Sequence, residues 1–136
     1  MKFMSRQDLI ARYRQFSIDV AELLNALAQN RINSAYSNQL IRSSSSCGAN
    51  YRASQRAKSA KDFINKLKIV EEELDESIYF LDLLLHFNKI VQDRIEKLIS
   101  EANELLSITV ASLKTARKNL KESINNKRRN VKHGED

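Results

Sequence analysis

The chain has no proline, no tryptophan, two glycines, two histidines and one cysteine among its 136 residues. Tight turns draw on proline and glycine, so so few of them argue against a β-sandwich, a barrel or a Rossmann-type domain. Cys47 has no partner for an intrachain disulfide, and no Cys/His cluster exists to hold a structural metal. A reducing, cytoplasmic setting is the expectation. No stretch approaches the roughly 18 uninterrupted apolar residues of a membrane-spanning helix. Residues 1–4 lead into a charged amphipathic segment rather than the apolar run of a signal peptide. There is no glycine-rich phosphate loop.

What is present suits one helical domain. Hydrophobic residues make up 42% of the chain and charged ones 29%, enough apolar material for a core and too much for a disordered chain. A chain of this length buries roughly 68% of the surface its unfolded form exposes. The net charge of +6 is unevenly spread: residues 1–58 hold nine basic and three acidic side chains, residues 59–113 six and eleven, and residues 114–136 eight and three. The middle is acidic and both flanks are basic.

Ser5 and Asp8 fit a capping box, and Leu9, Tyr13, Phe16, Val20, Leu23 and Leu27 then recur at steps of three and four, predicting a first helix over about 6–29. After a polar break at 30–33, a second helix over about 34–57 carries Leu40, Ser44, Cys47 and Tyr51 on one stripe. That narrow face, with Gly48 in it, predicts close approach by a neighbouring helix. Ser59 and Asp62 read as a second capping box before a helix over about 60–88, whose primary stripe runs through Phe63, Leu67, Val70, Leu74, Ile78, Leu81 and Leu85. Tyr79, Phe80, Leu83 and Phe87 add apolar surface beyond the stripe and predict a subunit interface. The last helix, over about 92–119, has near-heptad spacing from Val91 to Leu120. Beyond it, residues 121–136 read as a basic tail, frayed and disordered by His133.

Four helices with short links predict an all-α, antiparallel up-down-up-down bundle over 1–120. In that register Arg42 lies opposite Glu73, with Glu76 one turn away, so the arginine is expected to pair with one of these carboxylates as a structural contact.

Three stretches together carry a resemblance: Gln39-Leu40-Ile41-Arg42-Ser43-Ser44-Ser45-Ser46-Cys47-Gly48-Ala49-Asn50, then Lys58-Ser59-Ala60-Lys61-Asp62-Phe63-Ile64-Asn65-Lys66-Leu67, then Glu71-Glu72-Glu73-Leu74-Asp75-Glu76-Ser77. The pattern resembles the bacterial four-helix-bundle family also called 23S ribosomal RNA intervening-sequence proteins. Its departures are Cys47 where valine or isoleucine is usual, Phe80 where tryptophan is common, and Tyr51-Arg52-Ala53 where many members place an acid after Asn50. The resemblance rests on the glycine, asparagine, cap and acidic positions falling in register, and Arg42, Gly48, Asn50, Ser59, Asp62, Glu73 and Glu76 are read as structural residues. The resemblance implies a homo-oligomeric ring, with pentamers favoured, RNA binding as the usual suggestion, and no established catalytic residue. A more distant similarity, at the level of the fold, is to the accessory protein of diversity-generating retroelements.

The residues themselves point away from catalysis. His86 and His133 form no His-x-x-x-His or Glu-x-x-His pair, so the ligands of a di-iron bundle are missing. Asp82 and His86, one turn apart, read as a surface or interface pair, and Cys47 as a buried core thiol. No cofactor, metal, small-molecule substrate or membrane is expected. The candidate nucleic-acid contacts are Arg52, Arg56, Lys58 and Lys61 near the second turn, with Lys114, Arg117, Lys118, Lys121, Lys127, Arg128, Arg129 and Lys132 in the last segment. The alternative is a protein-interaction scaffold, such as an accessory to a reverse transcriptase, whose charged rim only steers its partner.

Overall fold

The computed structural model describes residues 4–134. Among them the chain forms four α-helices and no strand: α1 (Arg6–Ala26), α2 (Arg31–Ser54), α3 (Ala60–Phe87) and α4 (Gln92–Gly134), with a 3-10 turn at Lys89–Val91. Local chemistry sets the starts. Ser5 Oγ accepts from the Asp8 amide at 3.1 Å while Asp8 Oδ2 accepts from the Ser5 amide at 3.0 Å, so two orphan donors are satisfied together. At α3, Ser59 Oγ accepts from the Asp62 amide at 3.1 Å, but the Asp62 carboxylate reaches one residue farther back, to the Lys58 amide at 3.1 Å.

Several boundaries differ from the sequence reading. α1 stops at Ala26, not 29, because Leu27 turns to an extended conformation and is buried. Burying that side chain outweighs another turn of helix. α2 starts at Arg31, not 34, because Asn30 is its cap and accepts from the Asn33 amide at 2.8 Å. α2 ends at Ser54, not 57: the amides of Gln55, Arg56 and Ala57 turn back to the carbonyls of Arg52, Ala53 and Ser54 in the tighter i to i−3 pattern. The largest difference concerns the basic tail. Instead of fraying after 120, α4 continues to Gly134. No proline interrupts it, lysine, arginine and glutamate favour helix, and an apolar seam continues through Leu120, Ile124 and Val131. Glu135 and Asp136 lie outside the described residues.

Each helix packs on two others: α1 on α2 and α4, and α3 on α2 and α4, with no backbone approach across the diagonals among the described residues. Tyr13, Phe16, Val20 and Leu23 meet Leu40, Cys47 and Tyr51 of α2, five residues of α3 and five of α4 in one core. The α3 stripe is centred differently from expectation. Ser77 and Leu84 are fully buried, whereas Ile78 and Leu85 are only partly so. The reason lies in α2, whose Ser43, Ser44 and Cys47 are buried and leave room for another narrow side chain opposite them. Ser43 Oγ and Ser77 Oγ share a hydrogen bond at 2.9 Å, and Cys47 Sγ donates to the Ser43 carbonyl at 3.1 Å. On its other side α2 meets α1, where Ser17 Oγ lies 3.1 Å from the Ser44 carbonyl.

Gly48 sits at this second contact. A Cβ there would stand 3.5 Å from Tyr13 Cβ and 3.8 Å from Ser17 Oγ, ordinary van der Waals separations. Gly48→Ala therefore fits and removes the entropic cost of a helical glycine. It should stabilise the fold by about 0.5–1 kcal/mol in denaturant unfolding, whereas Gly48→Leu, which overfills the contact, should destabilise it by about 1–3 kcal/mol.

Candidate nucleic-acid interface

From Lys121 to Gly134 every residue is exposed, as are Lys114, Arg117 and Lys118 before them. α4 thus carries Lys114, Arg117, Lys118, Lys121, Lys127, Arg128, Arg129 and Lys132 on open surface, with Glu122 the single acid between them. Lys114 to Lys132 spans about 27 Å of helix. Arg52, Arg56, Lys58 and Lys61 are exposed too. Among the described residues none of these cations has a carboxylate within ion-pairing distance; the ion pairs belong to Arg12 and Arg42.

Tyr13 links segments that bear the two basic groups. Its ring stacks on Tyr51 of α2 with centroids 4.7 Å apart, and its hydroxyl lies 2.7 Å from Thr109 Oγ1 of α4. Arg52 directly follows Tyr51, and Lys114 lies just over one turn beyond Thr109. Burial pushes the Tyr13 phenol well above its ordinary range, so it stays a neutral hydrogen-bonding group. One residue earlier, Arg12 ties α1 to α4: its Nε lies 3.0 Å from Glu101 Oε2 and its Nη2 2.9 Å from Glu104 Oε2. These carboxylates, Glu101 first, raise the guanidinium's already high pKa further.

Arg42 reaches both of the carboxylates placed opposite it. Its Nη2 lies 2.9 and 3.0 Å from the two Glu76 oxygens, and its Nη1 is 3.8 Å from Glu73 Oε2. The arginine is 55% exposed, so this is a solvated surface contact of modest energy. Glu73 Oε2 is buried without a hydrogen bond. Burial first, and then Glu76, hold its carboxyl above the usual range against the opposing pull of Arg42. Asn50 closes on its own helix, donating to the Ser46 carbonyl at 2.9 Å. Cys47 is fully buried, and its thiol is pushed up to about 12 by burial.

Tyr79 and Phe87 are exposed at 59% and 48%, while Phe80 and Leu83 are half-buried. Tyr36 of α2 joins this patch, its ring centroid 6.1 Å from Phe80 and 6.2 Å from Phe87. Asp82 and His86 are both exposed, and the His86 ring packs edge-on against Phe87 at 4.9 Å. No group of three or more His, Cys, Asp or Glu residues that could hold a metal occurs among the described residues. No helix there is long and apolar enough to cross a membrane.

The sequence profile of the 23S rRNA-intervening sequence protein family matches residues 6–111. The chain belongs to that family. A similar fold occurs in the crystal structure of a protein of unknown function from the S23 ribosomal protein family of Bacteroides thetaiotaomicron, with a TM-score of 0.68 and 28% identity, covering 77% of this chain and 97% of that one. No curated protein matches. In this member of the intervening-sequence family, α4 runs 23 residues past the end of the family match, and that extension holds all eight cations of the last segment.

Sequence reasoning missed four contributors. Apolar spacing marks Tyr13 only as a stripe position, although a tyrosine there signals a buried hydroxyl that needs a partner. Arg12 carried no signal of its own, because its acids lie 89 and 92 positions away. Asn33 and Asn88 form a reciprocal amide pair at 2.8 and 3.0 Å that fastens the α1–α2 and α3–α4 turns together.

Two outcomes check these contacts. Tyr13→Phe should cost about 0.5–1.5 kcal/mol in denaturant unfolding, the net worth of one buried hydrogen bond. A carboxyl whose folded pKa is raised contributes stability that is fully present below its unfolded value of 4.5 and is lost as pH rises through the folded value. Glu73→Gln should therefore unfold with a flatter pH profile than the unaltered protein from about pH 4.5 upward. Identical slopes in urea titrations would exclude this role for Glu73.

Proposed function

We propose that this protein is a non-catalytic, homo-oligomeric helical bundle of the bacterial cytoplasm that binds nucleic acid, RNA by preference, through the basic surface of α4 and the α2–α3 turn. The observation that carries this reading is the helical extension of α4. Like charges one turn apart, as at Lys114 and Lys118, Arg117 and Lys121, and Arg128 and Lys132, weaken a helix by about 0.2–0.5 kcal/mol a pair. Favourable placement near the negative end of the helix dipole offsets this only within the last turn. A polyanion laid along the surface relieves the rest. The family's association with 23S rRNA favours RNA as that polyanion.

The fold proposed is an up-down-up-down bundle. Its support is the register of α2 and α3, where Asn33 meets Asn88 and Ser43 meets Ser77, with short links between consecutive helices. In that arrangement Lys58 and Lys61 lie beside the stretch of α4 near Lys118 and Lys121, so both basic groups share one end. The aromatic patch of Tyr79, Phe80, Leu83 and Phe87 supports assembly into a ring, pentameric by preference.

Anisotropy of labelled single- and double-stranded RNA and DNA with nucleic-acid-free protein tests the reading. Five contacts from Lys121 to Lys132 give a slope of log K against log salt of about −3.5 on a single strand, and Arg128→Glu with Arg129→Glu should flatten it by about 1.4 or more. Absence of binding even at low salt would reject it and leave an oligomeric scaffold for a protein partner.

A further inference from the structure

Between α3 and α4 runs an open groove of about 560 Å³ whose apolar floor is Ile78, Tyr79 and Ile99; of its four acids Glu76 is already paired with Arg42, and Glu72, Asp75 and Asp82 remain on the rim. These three carboxylates are exposed, and none has a cation within ion-pairing distance among the described residues. The same chain carries a complementary shape. The end of α4 has an apolar seam that continues from half-buried Leu120 into exposed Ile124 and Val131, with Lys121, Arg128 and Lys132 on the adjoining face. The lengths agree as well. The rim from Glu72 to Asp82 spans about 15 Å of helix, and the seam from Leu120 to Val131 about 16.5 Å.

We propose that the basic end of α4 docks in the α3–α4 groove of a second copy of this chain, its apolar seam on the floor and its cations on the carboxylate rim. The inference deepens the homo-oligomeric reading above and rests on it. A chain cannot fill its own groove, because α4 is one continuous helix and holds Ile124 about 38 Å along its axis from Ile99. Donor and acceptor surfaces differ, so the contact is head-to-tail and closes a ring or grows a filament according to the rotation between copies. The end of α4 is then shared between assembly and nucleic acid, and the two compete for it.

Charge exchange tests the docking in nucleic-acid-free protein. One variant carries Lys121→Glu, Arg128→Glu and Lys132→Glu; the other carries Glu72→Lys, Asp75→Lys and Asp82→Lys. All six positions are exposed, and circular dichroism checks that each variant is folded. In sedimentation at low salt each variant alone should lose the assembly of the unaltered protein, with its dissociation constant raised at least tenfold, and an equimolar mixture should recover it. Assembly unchanged in either single variant, or a mixture that stays dissociated, overturns the proposal while leaving oligomerisation itself standing. A monomeric unaltered protein at every concentration removes the oligomeric reading too. Zero-length carbodiimide coupling of the unaltered protein gives a second measurement free of variants. Bonds from Lys121, Lys127 or Lys132 to Glu72, Asp75 or Asp82 are expected, and since each of these pairs lies about 20 Å or more apart along the helix axes of one chain, they can form only between copies. Coupling confined to other pairs counts against the docking. Retained RNA anisotropy in the groove variant, whose α4 end is intact, separates this result from the nucleic-acid reading.

Discussion

A helix that offers serine, cysteine and glycine to its neighbours can be covered only if both approach its backbone closely, and α2 imposes that condition on the rest of the molecule. On one side Ser43 and Cys47 bring in Ser77, which shifts the buried stripe of α3 by one position and turns Ile78 toward the surface. On the other, Ser44 and Gly48 admit α1 until Ser17 reaches a carbonyl of α2. Little apolar area is gained along this seam, so directional contacts fix its register: the Ser43–Ser77 bond in the middle, the Asn33–Asn88 pair at one end and the Tyr13–Tyr51 stack toward the other. Polar groups buried in this way stabilise modestly when paired and cost more when orphaned, which makes a shifted register unfavourable.

The division between what could be read from the sequence and what could not follows from this architecture. Spacing of apolar residues placed the helices, because a stripe repeats whichever neighbour covers it. Capping chemistry placed two starts to the residue, at Ser5 and Ser59, but Asn30 was hidden inside a run of polar residues that looked like a break. The partners of Arg12 and Tyr13 depend on which helix lies alongside, and no local pattern encodes that. The tail departs from the expectation for a different reason. Sparse apolar content normally means disorder, yet Leu120, Ile124 and Val131 keep helical spacing and nothing between them terminates a helix. The candidate interface was legible as a list of cations. Its form, a projecting helix with an apolar edge, was not.

Charge in this molecule is arranged by segment, and among the described residues the ion pairs centre on two arginines. Arg12 and Arg42 each satisfy carboxylates across a helix contact, while the acids on the outer face of α3 and the cations of α4 remain open to solvent. Such separation along an elongated body creates a large dipole. Any charged body approaching such a dipole is oriented before contact, and the effect weakens as ionic strength rises.

The buried thiol has a practical consequence. Cys47 lies in the seam between α2 and α3, fully covered, with its ionisation driven far above neutral pH. A reagent that needs an accessible thiolate meets neither condition in the folded chain, and fraying at the helix ends or motion of the projecting arm does not change that. Only separation of α2 from its neighbours exposes the sulfur, so alkylation reports that opening: its rate when the reagent outpaces reclosing, and its equilibrium when reclosing is faster. The protein therefore carries its own clock for core unfolding, with a single hand.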